Sequence, residues 1–171
     1  MTLTTKPACD CGRDHFARRE DQNFSNFDQV VLVLSRFMLD IFGYKDSSSW
    51  MRAMELAEQV AGTGDGPVLL ARVTAMIRAI VHERTECFHY LSPCCLHISH
   101  HEIAMMQAVQ KARSGNWQSF GATAEALVQG PVCERTKHAI VALVSPLVEA
   151  SNGENVLQDA MAGAAPSTAF H

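Results

Sequence analysis

The chain carries little charge and few aromatic rings. Of its 171 residues 19% are charged and 7% are aromatic, and the formal net charge is −4. That acidic balance argues against nucleic acid as the main partner, because phosphate binding needs a net basic face. Long apolar runs are missing too. A stretch such as VVLVL at residues 30–34 falls far short of the ~20 residues that a bilayer-spanning helix needs. Residues 1–21 are polar, with no apolar run of signal-peptide length. Neither a membrane nor an export signal is indicated, and a cytoplasmic protein is the expectation. Internal repeats and convincing strands are absent. GTGDGP at residues 62–67 has the glycines of a phosphate-binding loop but lacks its preceding strand and its lysine.

What is present is an apolar fraction of 47%, enough for one domain with a proper core. Its period is helical. Phe27, Val30, Val31, Leu34, Met38 and Ile41 follow the i, i+3, i+4, i+7 rule. Eleven of the sixteen residues 27–42 are apolar, so this first helix should be covered on most sides. Ser25 with Asp28 three residues later marks its start and Gly43 its stop. A second helix runs from DSSSW to about residue 60. Pro67 opens a third, whose stripe of Leu69, Val73, Met76, Ile77 and Ile80 continues to Cys87, Phe88 and Leu91. A fourth covers residues 99–113, with Lys111 and Arg113 in its last turn. The fifth carries Trp117, Phe120, Ala124 and Leu127, and the sixth carries Val132, Thr136, Ile140 and Leu143 up to Pro146. The expected fold is all-α: a single-domain bundle of five or six helices over residues 24–150. It stands between a polar N-terminal arm (1–23) and a flexible C-terminal tail (151–171). Met51, Met54, Met76, Met105, Met106, Trp50 and Trp117 read as core residues.

Six cysteines and eight histidines are many for such a chain. Without signs of export, the cysteines read as reduced thiols, ligands or catalytic groups before disulfides. Helical phase places Cys87 and Cys133 on apolar stripes, as small buried hydrophobes. Cys9, Cys11, Cys94 and Cys95 fall outside the predicted helices, where ligands and nucleophiles usually sit. The segment LSPCCLHISHHE at residues 91–102 concentrates this chemistry. Within it Ser99 and Glu102 form a capping box, which starts a helix at Ser99 and makes residues 91–98 a connecting loop. His100 and His101 then lie in the first turn, where the positive helix end disfavours their protonation and leaves them as neutral ligands or bases.

The leading expectation is a transition-metal site, zinc before iron, in a sensing, regulatory or metal-handling protein. Its ligands come from Cys9, Cys11, Cys94, Cys95, His97 and His101, with His15 as a further candidate, and the arm is clamped onto the bundle. Another arrangement, His82, Glu86 and His89 along one helical face, includes the Glu-x-x-His spacing of di-iron bundles but lacks the second such motif. His82-x₃-Glu86 and His97-x₃-His101 resemble two pieces of the hemerythrin pattern. That family's first-helix histidine has no counterpart, and Leu143 stands five residues after His138. No iron site follows. The alternative is a thiol redox enzyme using Cys94 or Cys95 with a nearby histidine. Cys94, His97 and His101 resemble part of the C-x-x-C-x₃-H segment of the alkylhydroperoxidase family, with His97 where the second cysteine would stand. A third reading is an adaptor that binds a protein partner or another copy of itself without a cofactor.

Overall fold

Five α-helices make up most of residues 16–44, 47–130 and 133–145, the parts of the chain that the computed structural model describes. The first, α1 (Asn26–Tyr44), begins where its capping chemistry predicts. The Asp28 carboxylate accepts from the Ser25 N–H at 2.9 Å, and the Ser25 hydroxyl accepts from the Asp28 N–H at 3.3 Å. Every residue from position 30 to 39 is buried, so α1 is enclosed on all sides as its composition implies.

The next element, α2 (Ser47–Glu83), joins the expected second and third helices across a break at Gly62. Gly62 has φ 84° and ψ 164°, backbone that L side chains rarely adopt. The helix resumes directly after it, so Pro67 lies inside the second half instead of opening it. The two halves meet closely at Gly66, where an added Cβ would sit 2.8 Å from the Glu58 Cα. The stripe Leu69, Val73, Met76, Ile77 and Ile80 is buried. It does not continue to Leu91, because α2 ends at Glu83 and residues 84–99 form an irregular connection. Cys87 is half-buried there, off any helix, and His82, Glu86 and His89 share no helical face.

After the connection come α3 (His100–Arg113), α4 (Trp117–Val128) and α5 (Glu134–Val144). Helix α1 packs on α2, α2 on α5, and α3 on α4 and α5. Cys133 stands at the N-cap of α5, fully buried, but its side chain caps nothing. The capping acceptor comes from α2 instead: the Glu83 carboxylate accepts from the backbone N–H groups of Arg135 (2.9 Å) and Thr136 (2.8 Å). Burial acts to raise the Glu83 pKa, yet the bonds from Thr136 and Arg135 outweigh it and hold the carboxyl below its usual range. Met76, Met105 and Met106 are core residues as expected, whereas Trp50, Met51 and Trp117 are exposed. Each of these three lies near the start of its helix. Pro146 and the tail from residue 151 lie outside the described residues.

A two-residue strand, β1 (Ala17–Arg18), pairs antiparallel with β2 (His97–Ile98), Ala17 opposite Ile98 and Arg18 opposite His97. The Arg19 N–H extends the pairing to the Leu96 carbonyl at 2.8 Å. No helix among the described residues is long and apolar enough to cross a membrane.

The close approach at Gly66 makes a paired prediction. Gly66→Ala should destabilise the fold by roughly 1 to 3 kcal/mol, because the obstructing atoms are Glu58 and Ala57 backbone. Gly121→Ala, in open space within α4, should stabilise it by about 0.5 to 1 kcal/mol. Urea midpoints of both variants at constant m-value check the signs.

Candidate functional site

Residues 91–99 lie on a buried guanidinium. Arg36 of α1 uses all five of its N–H donors. Nε and Nη2 grip the two carboxylate oxygens of Glu102 at 2.7 and 3.1 Å, Nη1 reaches the carbonyls of Ser92 (3.2 Å) and Cys95 (2.7 Å), and Nη2 also reaches His97 O (2.6 Å). Both side chains are fully enclosed. Glu102 in turn accepts from the backbone N–H groups of Leu91 (3.2 Å) and Ser99 (2.8 Å). Ser99 completes the predicted capping box by accepting from the Glu102 N–H at 3.2 Å. One ion pair thus supplies backbone partners to five positions, Leu91, Ser92, Cys95, His97 and Ser99, of which only His97 belongs to a strand.

The held loop brings two of the expected ligands together. Cys95 is buried and His97 half-buried, with Cys95 Sγ 3.9 Å from His97 Nδ1. Ligands on a tetrahedral zinc, with Zn–S about 2.3 Å and Zn–N about 2.0 to 2.1 Å, sit about 3.6 Å apart, so this pair is close to ligating separation. The chain bends at Leu96, just before β2, and the bend lies between the two side chains. Cys94 projects to the other side. It is exposed, and its Sγ meets the Ser92 hydroxyl at 3.3 Å.

His101 is elsewhere, buried between two donors. Its Nδ1 accepts from the His89 backbone N–H at 2.8 Å, and its Nε2 lies 2.8 Å from Arg84 Nη2. Its pKa is lowered to about 4, by burial first, then by Arg84, His100 and His89. The lowered value agrees with the sequence expectation, but burial and a cation cause it more than the helix end does. Arg84 itself is buried, and its Nη1 donates to the Leu127 carbonyl at the end of α4. Cys133 behaves as a buried hydrophobe, with burial pushing its thiol pKa up despite the nearby Lys137.

Cys9, Cys11 and His15 lie outside the described residues, as does most of the arm that carries them. The described chain begins at Phe16, immediately before β1. An open cleft of about 580 Å³ there is lined by Phe16, Ala17, Arg18, Asp21 and His97. Among the described residues no three His, Cys, Asp or Glu side chains converge as a metal-holding group. The four described cysteines, Cys87, Cys94, Cys95 and Cys133, are free thiols. Sequence reasoning missed Arg36 and Arg84. The signal for Arg36 was a lone cation in the middle of an apolar helix.

No known protein family, curated protein or solved structure matches this chain.

Loss of one partner of the buried pair should be costly. Glu102→Leu strands the Arg36 charge and should destabilise the protein by roughly 3 to 5 kcal/mol. The double variant Arg36→Met, Glu102→Leu should recover part of this but stay roughly 1 to 3 kcal/mol below wild type, because the carbonyls of Cys95 and His97 lose the guanidinium and Ser92 keeps only the Cys95 N–H. A double-mutant cycle in urea measures both numbers; full recovery in the double variant would show that the loop contacts contribute nothing.

Proposed function

We propose that this protein binds a transition metal, zinc before iron, at a site shared between its N-terminal arm and the loop at residues 91–99. Cys95 and His97 supply two ligands from the loop, and Cys9 and Cys11 supply two from the arm. The observation that carries this reading is the pairing of β1 with β2, which fastens the arm to the strand bearing His97. Both halves have the same i, i+2 spacing, C-x-C in the arm and C-x-H in the loop. Thiolate and imidazole together form a donor set suited to zinc, and a set of four such ligands makes a closed, structural or sensing site. Binding would require the cysteines to lose their protons and would staple the arm to the bundle. The role is metal sensing, regulation or handling inside the cytoplasm, where free thiols persist. The thiol-redox alternative is weaker, since exposed Cys94 contacts a serine hydroxyl and no base among the described residues.

Elemental analysis of untagged full-length protein tests the proposal. About one zinc per chain is expected, with Cys94 alkylated at once and Cys95 protected until a chelator is added. Cys95→Ser and His97→Ala should each weaken binding by roughly tenfold or more, whereas Cys94→Ser should leave stoichiometry unchanged. Metal-free protein that cannot be loaded with zinc, or equal losses at Cys94 and Cys95, would overturn the ligand set.

A further inference from the structure

The first half of α2, residues 47–61 before the break at Gly62, leaves an apolar face uncovered. Of the six large apolar side chains exposed among the described residues, three stand close together in sequence where α1 gives way to α2. They are Tyr44, Trp50 (43% exposed) and Met51 (61%). We propose that this face of α2 is a docking site for a cationic amphipathic helix of a protein partner. The inference is independent of the metal reading.

Successive residues of an α-helix are turned by about 100°. Ala53, Leu56 and Ala57 are buried and define the core side of this half. Met51 points away from that side, and Met54 lies beside it at i+3, half-buried against the core edge. Trp50, four residues before Met54, forms the other border of the stripe. Apolar groups at this spacing match the i, i+3, i+4 ridge of a second helix laid along the first. Methionine, unbranched and polarisable, adapts to such a partner.

The charge beyond the stripe selects the occupant. Glu55 and Glu58 follow Met51 and Met54 four residues on, one turn further along the same face. Asp65 is next to Gly66, whose backbone meets that of Glu58, and it adds a carboxylate at this end. None of the three makes an ion pair among the described residues. The first half of α2 ends here too, and the negative end of a helix favours cations. Arg52, the only cation of residues 47–61, lies about 100° round from Met51, on the flank away from Trp50.

A second copy of the chain supplies nothing to these carboxylates. Laid parallel it sets acid on acid, and laid antiparallel it sets them against the uncharged SSSWM start of the same helix. An anionic lipid surface would be repelled. A helix whose apolar stripe is followed by lysine or arginine complements both ends of the face at once.

Trp50 is one of two tryptophans, so the full chain carrying Trp117→Phe has a single reporter at the face. The probe is a leucine–lysine peptide of about 14 residues, with leucines at helical spacing, beside a control with glutamate for lysine. The lysine peptide should shift Trp50 emission to the blue and saturate at one peptide per chain, and the control should not bind. Met51→Gln, and separately Glu55→Gln with Glu58→Gln, should each weaken the lysine peptide by roughly tenfold or more. Met51 and Glu55 are exposed, so Met51→Gln and Glu55→Gln alone keep the fold, and unchanged urea midpoints check this. No shift with the lysine peptide, an equal shift with the control, or undiminished binding in the variants would overturn the proposal. A Trp50 shift that follows protein concentration alone would give the face to a second copy. One produced by phosphatidylglycerol vesicles would give it to a membrane, and either result overturns the assignment.

Discussion

The Arg36–Glu102 pair holds the connection that carries Cys95 and His97. Without it, residues 91–99 have few backbone partners: two residues pair with β1, Leu96 accepts from the Arg19 N–H, Ser92 from the Cys95 N–H and Ser99 from the Ile103 N–H, and side chains hold much of the rest. Burying two charges costs several kcal/mol per ion, and hydrophobic residues of similar size often serve stability as well. What they could not do is satisfy three carbonyls and two N–H groups at fixed positions. The five-donor fork of arginine does this, and lysine, with three donors on a flexible stem, could not reproduce it. The pair therefore sets where the loop runs, and through the carbonyls of Cys95 and His97 it sets where those side chains begin.

That placement gives the loop its chemistry. A cysteine and a histidine two apart on flexible chain would sample many separations. Here their carbonyls are bonded to one guanidinium, at 2.7 and 2.6 Å, and Sγ and Nδ1 stand 3.9 Å apart. Preorganised ligands lose less conformational freedom when they capture an ion. The same scaffold separates the vicinal cysteines, with Cys95 turned in and Cys94 turned out, so adjacent identical residues serve different ends.

Local chemistry was legible in the sequence wherever it was decided locally. The capping boxes at Ser25 and Ser99 name their own partners three residues on, and both helices start there. The enclosure of α1 followed from its apolar count. The connection after Glu83 was not legible, because Cys87, Phe88 and Leu91 extend the helical period of α2 while Phe88 and Leu91 are buried off the helix. Burial leaves the same trace in sequence for either backbone. What accompanies the departure from helix is tertiary: Arg84 reaches Leu127 and His101, and these lie 43 and 17 residues away. The exposed Trp50 and Trp117 show the converse, since apolar spacing marks a face but not whether a neighbour covers it. Of the candidate site, the cysteines and His97 were visible as residue types, whereas the arginine that arranges them could be found only through the fold.

Two buried arginines hold one connection by opposite means. Arg36 is neutralised by a carboxylate. Arg84 makes no salt bridge among the described residues: it donates to the Leu127 carbonyl at the end of α4 and lies over the Phe88 ring. The connection is consequently two units held differently, residues 84–91 by a cation set on a carbonyl and an aromatic face, and residues 92–99 by a neutralised pair, and the second unit is the one that carries Cys95 and His97.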